Sequence, residues 1–264
     1  MEGSNTMRMG IMQPYFFPYI GYISLIKHTD EFMLFDPVQF IHHGWIERNR
    51  ILKPFDKNKK TVPGENWQYV SVPLIKHSRE TLIKDVKINN EIDWRNKLIN
   101  QLCCYKKRAP YYEDVMKVIK KGIDIQTDSI VELNRNILQE ICYYLGIDTK
   151  ITVFSEENLT IKTPNAPDEW ALNICLAKGN MNEYWNPPGG MNFFDGTKYE
   201  KAGINLKFQQ VKLEPYIQRI GYFEAGLSII DVMMFNNVEE INKMLDNYEL
   251  VELKTVKKYE RKKN

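Results

Sequence analysis

The sequence predicts an α/β protein with a Rossmann-like, mostly parallel sheet and an inserted or appended helical region. Strand-like apolar runs alternate with helix-like patterns along most of the chain, which is typical of this class. The first 36 residues show strand, short helix and strand, which indicates a β-α-β unit. Residues 90–146, in contrast, show three helical patterns in succession. We therefore expect a single α/β domain at 7–250 with a largely helical middle region at about 90–146.

The opening β-α-β unit contains an unusual turn. Residues 9–12 form a short apolar strand, and residues 32–35 form a second one. Between them, Pro14 and Pro18 lack an amide hydrogen and have a fixed φ, so this segment is neither mid-helix nor a paired strand. Helical spacing begins at Tyr22. Ligands of such units bind where the first strand feeds the first helix, so we expect a site at this turn.

The next segments are predicted to be strands and loops. Residues 38–52 mix strand alternation with polar side chains, and Gly44 is predicted to turn a hairpin. Residues 53–66 are polar and rich in turn formers, which indicates a mobile loop. Residues 67–75 alternate like a half-buried strand, and a short strand is expected at 83–88.

Helix boundaries are visible in the second half of the chain. The middle helices begin at Asn90 or Asp93, at Pro110 (ending at Gly122) and at Asp128 (ending at Gly146). A fourth helix is capped by Asp168 and closed by Gly179, and Ser228 with Asp231 fits a capping box. Strands are expected at 151–154 and 204–211, a bend at 184–190, and a last amphipathic helix at 238–245.

Composition excludes several classes of protein. The chain has 264 residues, a net charge of +2 and 43% hydrophobic residues, which is an ordinary globular profile. This balance predicts no nucleic-acid partner, and no apolar run reaches membrane-spanning length. Residues 251–264 form a basic tail that we expect to be solvated, although it also fits a phosphate-binding arm. Residues 1–6 are expected to be a disordered leader.

No metal or cofactor site can be identified from the spacing of ligand-type residues. His42 and His43 are adjacent and would point apart on a strand, and no CxxC pair is present. Cysteines 103, 104, 142 and 175 lie in apolar helical patterns, so we expect free thiols and a cytoplasmic protein.

The aromatic turn is the first candidate for a binding site. Gln13 offers an amide, and Tyr15, Tyr19 and Tyr22 offer hydroxyls and flat rings for a sugar or a base. The helix N-terminus behind them suits a phosphate or carboxylate. The alternative is a well-packed aromatic turn, and we assign Phe16 and Phe17 to the core.

The second candidate set begins at Trp45, which is itself a candidate substrate-binding residue. Arg48 and Arg50 would face the same side of a strand, with Asn49 on the other, and two such guanidiniums suit a diphosphate or a carboxylate. The alternative is surface ion pairing with Glu47 and Asp36. His43 is a candidate general base because the pKa of histidine lies near neutrality.

Further candidates lie at predicted strand ends and bends. Asp36 ends the second strand and is the other candidate base, and Gln39 follows at the same rim. Asn186 and Gly189 offer close backbone approach to a ligand, but a tight turn alone would also explain them.

A longer set of residues resembles the WbqC-like protein family. The residues that carry the resemblance are 13–22 (QPYFFPYIGY), 36, 38–40, 44–46, 48–51, 184, 186–187, 189–190, 203–204 and 227–231. The resemblance implies bacterial surface-polysaccharide (O-antigen) gene clusters and a transferase acting on nucleotide-linked amino sugars. A weaker likeness joins the turn to nucleotidylyltransferase-type Rossmann-like domains. In those domains two histidines contact triphosphate, whereas tyrosine occupies both positions here, which argues against adenylylation.

Two functions follow as expectations. The first is a transferase that places an acyl or aminoacyl group on a nucleotide-linked amino sugar, which implies an activated acyl donor or a carrier. The second is a non-catalytic module that binds a sugar or a carrier within a glycan-assembly complex. A third reading, nucleic-acid binding, rests on the basic tail and is the weakest of the three.

Overall fold

A computed structural model describes residues 6–54, 62–251 and 253 of the chain. Most of the predicted leader, part of the predicted loop at 53–66 and nearly all of the predicted basic tail lie outside these residues. The strands are β1 (Arg8–Met12), β2 (Glu31–Leu34), β3 (Arg48–Leu52), β4 (Trp67–Ser71), β5 (Lys150–Val153), β6 (Glu183–Asn186), β7 (Asn205–Val211) and β8 (Tyr248–Val251). The helices are α1 (Ile20–Lys27), α2 (Trp94–Leu102), α3 (Tyr112–Ile123), α4 (Ile130–Leu145), α5 (Glu169–Lys178), α6 (Gly196–Lys201), α7 (Ile229–Phe235) and α8 (Val238–Asp246).

The predicted α/β class with a mostly parallel sheet is confirmed. Six strands form one sheet in the order β5-β2-β1-β6-β7-β8. The first five of these run parallel, and β8 pairs antiparallel with β7. Because β2 lies on one side of β1 and β6 on the other, the connections diverge there and open a crevice at the carboxyl ends of β1 and β6.

The two faces of the sheet are both covered. In β2, Phe32 and Leu34 belong to the larger hydrophobic cluster, whereas Met33 packs in a second cluster with Met9 and Ile11 of β1. Alternate side chains therefore enter different layers, as in a parallel sheet that is buried on both sides. This burial explains why β1 and β2 read as continuous apolar runs.

Helices α2, α3 and α4 follow one another in the middle of the chain, and two of their ends differ from the prediction. Asp93 caps α2 through the Asn96 amide, but the cap of α4 is Ser129, one residue after the predicted Asp128. The predicted stop at Gly122 is wrong, because α3 continues to Ile123. A Cβ at Gly122 would lie 3.4 Å from the Cα of Ile137, so this glycine lets α3 and α4 approach each other closely.

Two other local predictions are corrected, and two strands were missed. Residues 83–88 contain a 3₁₀ turn at Ile83–Asp85 rather than a strand. The hairpin is formed by β3 and β4. Gly44 lies instead in a separate turn, where its amide donates to the Ile41 carbonyl. Strands β6 and β8 were not predicted, although β6 pairs directly with β1.

The predicted capping box at the start of α7 is half correct. The Ser228 hydroxyl accepts a hydrogen bond from the Ile230 amide. The Asp231 carboxylate does not cap the helix. It is buried and accepts hydrogen bonds from Tyr105 (2.8 Å), Tyr216 (2.5 Å) and the Gln218 amide (2.7 Å). No helix in the described ranges has the length and apolar character needed to cross a membrane.

Candidate functional site

A cavity of about 790 Å³ opens at the carboxyl ends of β1 and β6, where the strand connections diverge. Parallel α/β sheets bind ligands at this position. Its lining includes polar side chains and apolar-faced rings. We call Gln13, Tyr15, Tyr19 and Arg50 the polar side of the cavity, and Phe35, Trp170, Tyr184, Phe193 and Phe194 its aromatic side.

The turn after β1 places three polar groups in the cavity. In the described part of the chain, no residue hydrogen-bonds to the Gln13 amide or to the Tyr15 and Tyr19 hydroxyls. The Tyr19 ring lies over Gly21, where a Cβ would be only 2.4 Å from the ring. Glycine at this position is therefore required for the observed ring position.

Tyr22 supports the turn from behind. Its side chain is buried, and its hydroxyl donates to the Gln13 carbonyl at 2.8 Å. Its amide donates to the Tyr19 carbonyl, so it is not free for an oxyanion. Tyr22 does not line the cavity, and its predicted contact with substrate stays a prediction.

Two buried asparagines hold the turn in place. The Asn49 amide donates to the carbonyls of Phe16 (3.1 Å) and Phe17 (3.0 Å). The Asn134 amide, from α4, donates to the carbonyls of Pro14 (2.8 Å) and Ile46 (2.9 Å). Phe17 has a φ of +41°, a region that non-glycine residues rarely adopt, so these bonds stabilise a strained backbone. Asn49 therefore lies at the cavity wall with its amide already used.

Sequence reasoning missed Asn134. The feature of the sequence that could have indicated Asn134 is an amide side chain on the apolar stripe of an amphipathic helix, beside Leu133 and Ile137. A buried polar group on such a stripe requires a hydrogen-bonding partner, which here is the turn. The predicted burial of Phe16 and Phe17 is confirmed.

Arg50 is the charged side chain of the cavity. Its guanidinium lies 5.5 Å from the ring centre of Trp45 and 5.2 Å from that of Trp67, and its Nη2 donates to the Gly226 carbonyl at 2.9 Å. Its Nε is buried and has no hydrogen-bond partner in the described residues. Arg50 is thus fixed in position while part of its donor capacity is unused.

Arg48 lies on the same face of β3, as predicted, but does not line the cavity. Its guanidinium stacks over Tyr69 at 4.0 Å, and its Nη2 donates to the His43 carbonyl at 2.5 Å. The predicted pairing of Arg48 with Arg50 on one diphosphate therefore stays a prediction.

The two candidate bases lie outside the cavity lining. His43 is exposed, with its ring 3.8 Å from the Glu47 carboxylate. Asp36 is buried and accepts hydrogen bonds from the Ser155 hydroxyl at 2.5 Å and amide at 3.1 Å. Burial raises the pKa of Asp36, while the bonds from Ser155 oppose this shift. Gln39 also lies outside the lining and donates to the Arg79 carbonyl.

The bend after β6 forms another part of the cavity wall. Asn186 lines the cavity, but its Oδ1 accepts from the Tyr184 hydroxyl and its Nδ2 donates to the Pro187 carbonyl, both at 3.1 Å. Gly189 also lines the wall, and a Cβ there would meet nothing within 4 Å. The wall thus offers backbone and rings rather than unused side-chain donors.

The aromatic side was not predicted as part of a site. Phe35 and Trp170 meet edge to face with ring centres 5.2 Å apart, and Phe193 stacks on Phe194 at 4.6 Å. Phe35 directly follows β2 and Trp170 lies in α5, and these elements are distant in sequence. No local pattern indicates that such rings converge.

The titratable groups of the cavity are unusual. Among its described lining residues there is no Asp, Glu, His, Lys or Cys. The titratable side chains in this lining are therefore Arg50 and three tyrosines. Desolvation raises the pKa of Tyr15, Tyr19 and Tyr184, so these hydroxyls stay protonated at neutral pH. The cavity therefore offers a cation, neutral hydrogen-bonding groups and ring faces. No cluster of three or more His, Cys, Asp or Glu placed to hold a metal occurs in the described ranges.

Comparisons with known proteins identify a family for most of the chain. The model of a family described as "WbqC-like protein family" matches residues 13–243. An "Uncharacterized protein Rv1507c" from Mycobacterium tuberculosis (strain ATCC 25618 / H37Rv) is 27% identical over 235 residues, which cover 87% of this chain and 93% of that protein. No solved structure matches the chain.

Proposed function

The chain belongs to the WbqC-like protein family, and from this premise we propose that its cavity binds a nucleotide-linked amino sugar in bacterial surface-glycan biosynthesis. The observation that carries this proposal is Arg50, whose guanidinium is held at the cavity by two rings and the Gly226 carbonyl, beside tyrosine hydroxyls that have no partner within the described ranges. A diphosphate requires such a cation, and a base or sugar ring requires flat apolar faces.

Each part of the ligand has a counterpart in the cavity. The Nη1 of Arg50, which has no hydrogen-bond partner among the described residues, would donate to the diphosphate oxygens, whereas the Nε is buried. The hydroxyls of Tyr15 and Tyr19 and the Gln13 amide would bond the polar groups of the sugar. The base would lie against Phe35 and Trp170 on the aromatic side. The rings and Arg50 are already positioned by their packing, which reduces the entropy cost of binding.

The geometry favours binding over catalysis. Transfer of an acyl or aminoacyl group needs a proton acceptor, because the amine nitrogen must lose a proton when it bonds to the acyl carbon. No lining residue in the described part of the chain titrates near neutrality. His43 and Asp36, our candidate bases, lie outside the lining and would need to be brought to the substrate.

Acyl transfer remains the second candidate function. It is favoured by the protonated hydroxyls of Tyr15 and Tyr19, which lack partners among the described residues and suit a developing oxyanion. In this reaction the amine attacks the acyl carbonyl, a C–N bond forms, and the bond to the leaving group breaks. The leaving group departs with the electron pair and takes up the proton from the amine. An activated acyl donor or acyl carrier would supply the group.

Titration calorimetry with nucleotide-linked amino sugars, free nucleotides and free amino sugars tests the binding proposal. We expect one nucleotide-linked amino sugar to bind more tightly than either of its fragments. Equal affinity for the free nucleotide would reject the sugar half of the proposal, and no binding by any compound would reject the whole.

Transfer is tested separately by mass spectrometry of the bound sugar after incubation with activated acyl donors. If an acylated sugar forms, His43→Ala and Asp36→Asn should each be compared with the parent protein. A product that forms equally fast in both variants would remove the two residues as bases.

A further inference from the structure

Three large apolar side chains at the mouth of the cavity are exposed to solvent. The exposed fractions are 66% for Ile41, 38% for Trp45 and 56% for Phe193, and all three also line the cavity. We call these residues the apolar rim. Large apolar groups gathered in this way at the opening of a cavity indicate a contact surface rather than ordinary surface scatter.

The apolar rim is held in place by its own packing. Phe193 stacks on Phe194, and a Cβ at Gly190 would be only 3.0 Å from the Phe193 ring. Trp45 packs against the Arg50 guanidinium. Ile41 follows the buried Phe40 and accepts a hydrogen bond from Gly44 at 3.2 Å. These positions exist without a ligand, so the surface is ready for one.

The apolar rim continues the aromatic side of the cavity to the outside. Phe193 joins it to the interior ring of Phe194, and Trp45 joins it to the charged end at Arg50. A molecule that fits this arrangement has an anionic group at one end and an apolar chain at the other. Because the rim residues line the cavity itself, the chain belongs to the molecule that fills the cavity.

We infer that the sugar bound in the cavity carries a hydrocarbon acyl chain, which leaves the cavity across the apolar rim. This inference rests on the proposed function and deepens it, because it selects a hydrocarbon acyl group over an aminoacyl group. An aminoacyl group would place an ammonium beside these rings, where the face of Trp45 already packs against the Arg50 guanidinium. No carboxylate lines the described part of the cavity to pair with it, and Arg50 would repel it.

The test measures chain-length dependence with simple probes. The affinities of n-butyl, n-hexyl and n-octyl phosphate, below their micellar concentrations, are compared by calorimetry with those of ω-aminoalkyl phosphates of the same lengths. We expect octyl phosphate to bind about tenfold more tightly than butyl phosphate, because each of its four additional methylenes would bury one side against the apolar rim and leave the other in water. We expect 8-aminooctyl phosphate to bind no more tightly than butyl phosphate.

A pair of variants shows whether the gain arises at the apolar rim. The double substitution Ile41→Ser with Phe193→Ser should abolish the chain-length gain. Ile217→Ser, which changes a side chain that is 79% exposed and lies outside the cavity, should preserve it. Thermal unfolding confirms that each variant is folded.

The outcomes separate this inference from the proposed function. Equal affinity for butyl and octyl phosphate, or a gain in affinity that survives the double substitution, overturns the inference that the bound sugar carries a hydrocarbon chain. An advantage for the aminoalkyl series overturns it in favour of an aminoacyl group. If Arg50→Met leaves the affinity for butyl phosphate unchanged, the anion site of the proposed function fails, whatever the chain-length result.

Discussion

Arg48 and Arg50 lie on the same face of β3, yet only Arg50 lines the cavity. The two side chains have different neighbours. Arg48 stacks over Tyr69, whereas Arg50 lies against Trp45 and Trp67 and reaches Gly226 on a separate segment. Two arginines of equal charge and similar setting therefore form a matched pair for testing the site.

Gly226 is expected to control the position of Arg50. A Cβ on Gly226 would lie 3.1 Å from the Arg50 Nη2, and its φ is +67°. Gly226→Ala should therefore weaken ligand binding by displacing the guanidinium and should lower stability by about 1 kcal/mol. Gly179→Ala is the control, since Gly179 has a φ of +74° and open space around it. Calorimetry should show weaker binding for Gly226→Ala alone, and equal losses in both would contradict the role.

Substitutions of two tyrosines of the turn should affect ligand binding and protein stability differently. The Tyr19 hydroxyl has no partner in the described residues, so Tyr19→Phe should weaken ligand binding and leave the melting temperature unchanged. The Tyr22 hydroxyl donates to Gln13, so Tyr22→Phe should cost about 1 kcal/mol of stability. For both variants, denaturant unfolding measures the stability and calorimetry measures the ligand affinity. A Tyr19→Phe variant that binds normally would exclude the hydroxyl from recognition.

Asn134 should be essential for the shape of the turn. Asn134→Leu removes the donors to the Pro14 and Ile46 carbonyls and leaves both buried. We expect a loss of roughly 2–4 kcal/mol in unfolding free energy, together with weaker binding. Asn136→Leu, on the same helix but bonded to the Gly122 carbonyl, is the control. Normal binding by a folded Asn134→Leu protein would show that the turn holds its shape without Asn134.

Asp231 should make stability depend on pH. Burial raises its pKa from 3.8 to about 6 in the folded protein, while hydrogen bonds from Tyr216 and Tyr105 oppose this shift. Between about pH 4 and 6 the folded state then binds more protons than the unfolded state. This group's contribution to unfolding free energy therefore falls as pH rises through that window.

Asp231→Asn should remove this contribution. Urea unfolding of both proteins at several pH values gives the difference between their pH profiles, in which the contribution of Asp36 cancels. The parent protein should lose stability relative to the variant from pH 4 to pH 6. A difference that stays constant across this range would mean that the carboxyl titrates normally.

The sequence was most informative where neighbouring residues determine structure. The β1–α1–β2 unit and the helical middle region follow from apolar spacing and turn chemistry. Strand β6 has only four residues, and its partner β1 lies far away in sequence, so periodicity did not reveal it. The polar side of the cavity comes largely from one motif and was predicted in part. The aromatic side is assembled from the end of β2, from α5, and from β6 with the segment after it, and only the tertiary fold brings these together.

Whether Arg50 holds the diphosphate is measured by the affinities of Arg50→Met and Arg48→Met for the nucleotide-linked amino sugar. Methionine keeps apolar packing while removing the charge in both variants. If Arg50 holds the diphosphate, Arg50→Met should weaken binding by roughly 10- to 150-fold, and Arg48→Met should change it little. Equal losses would restore the two-arginine fork, and an unchanged affinity in Arg50→Met would contradict the account.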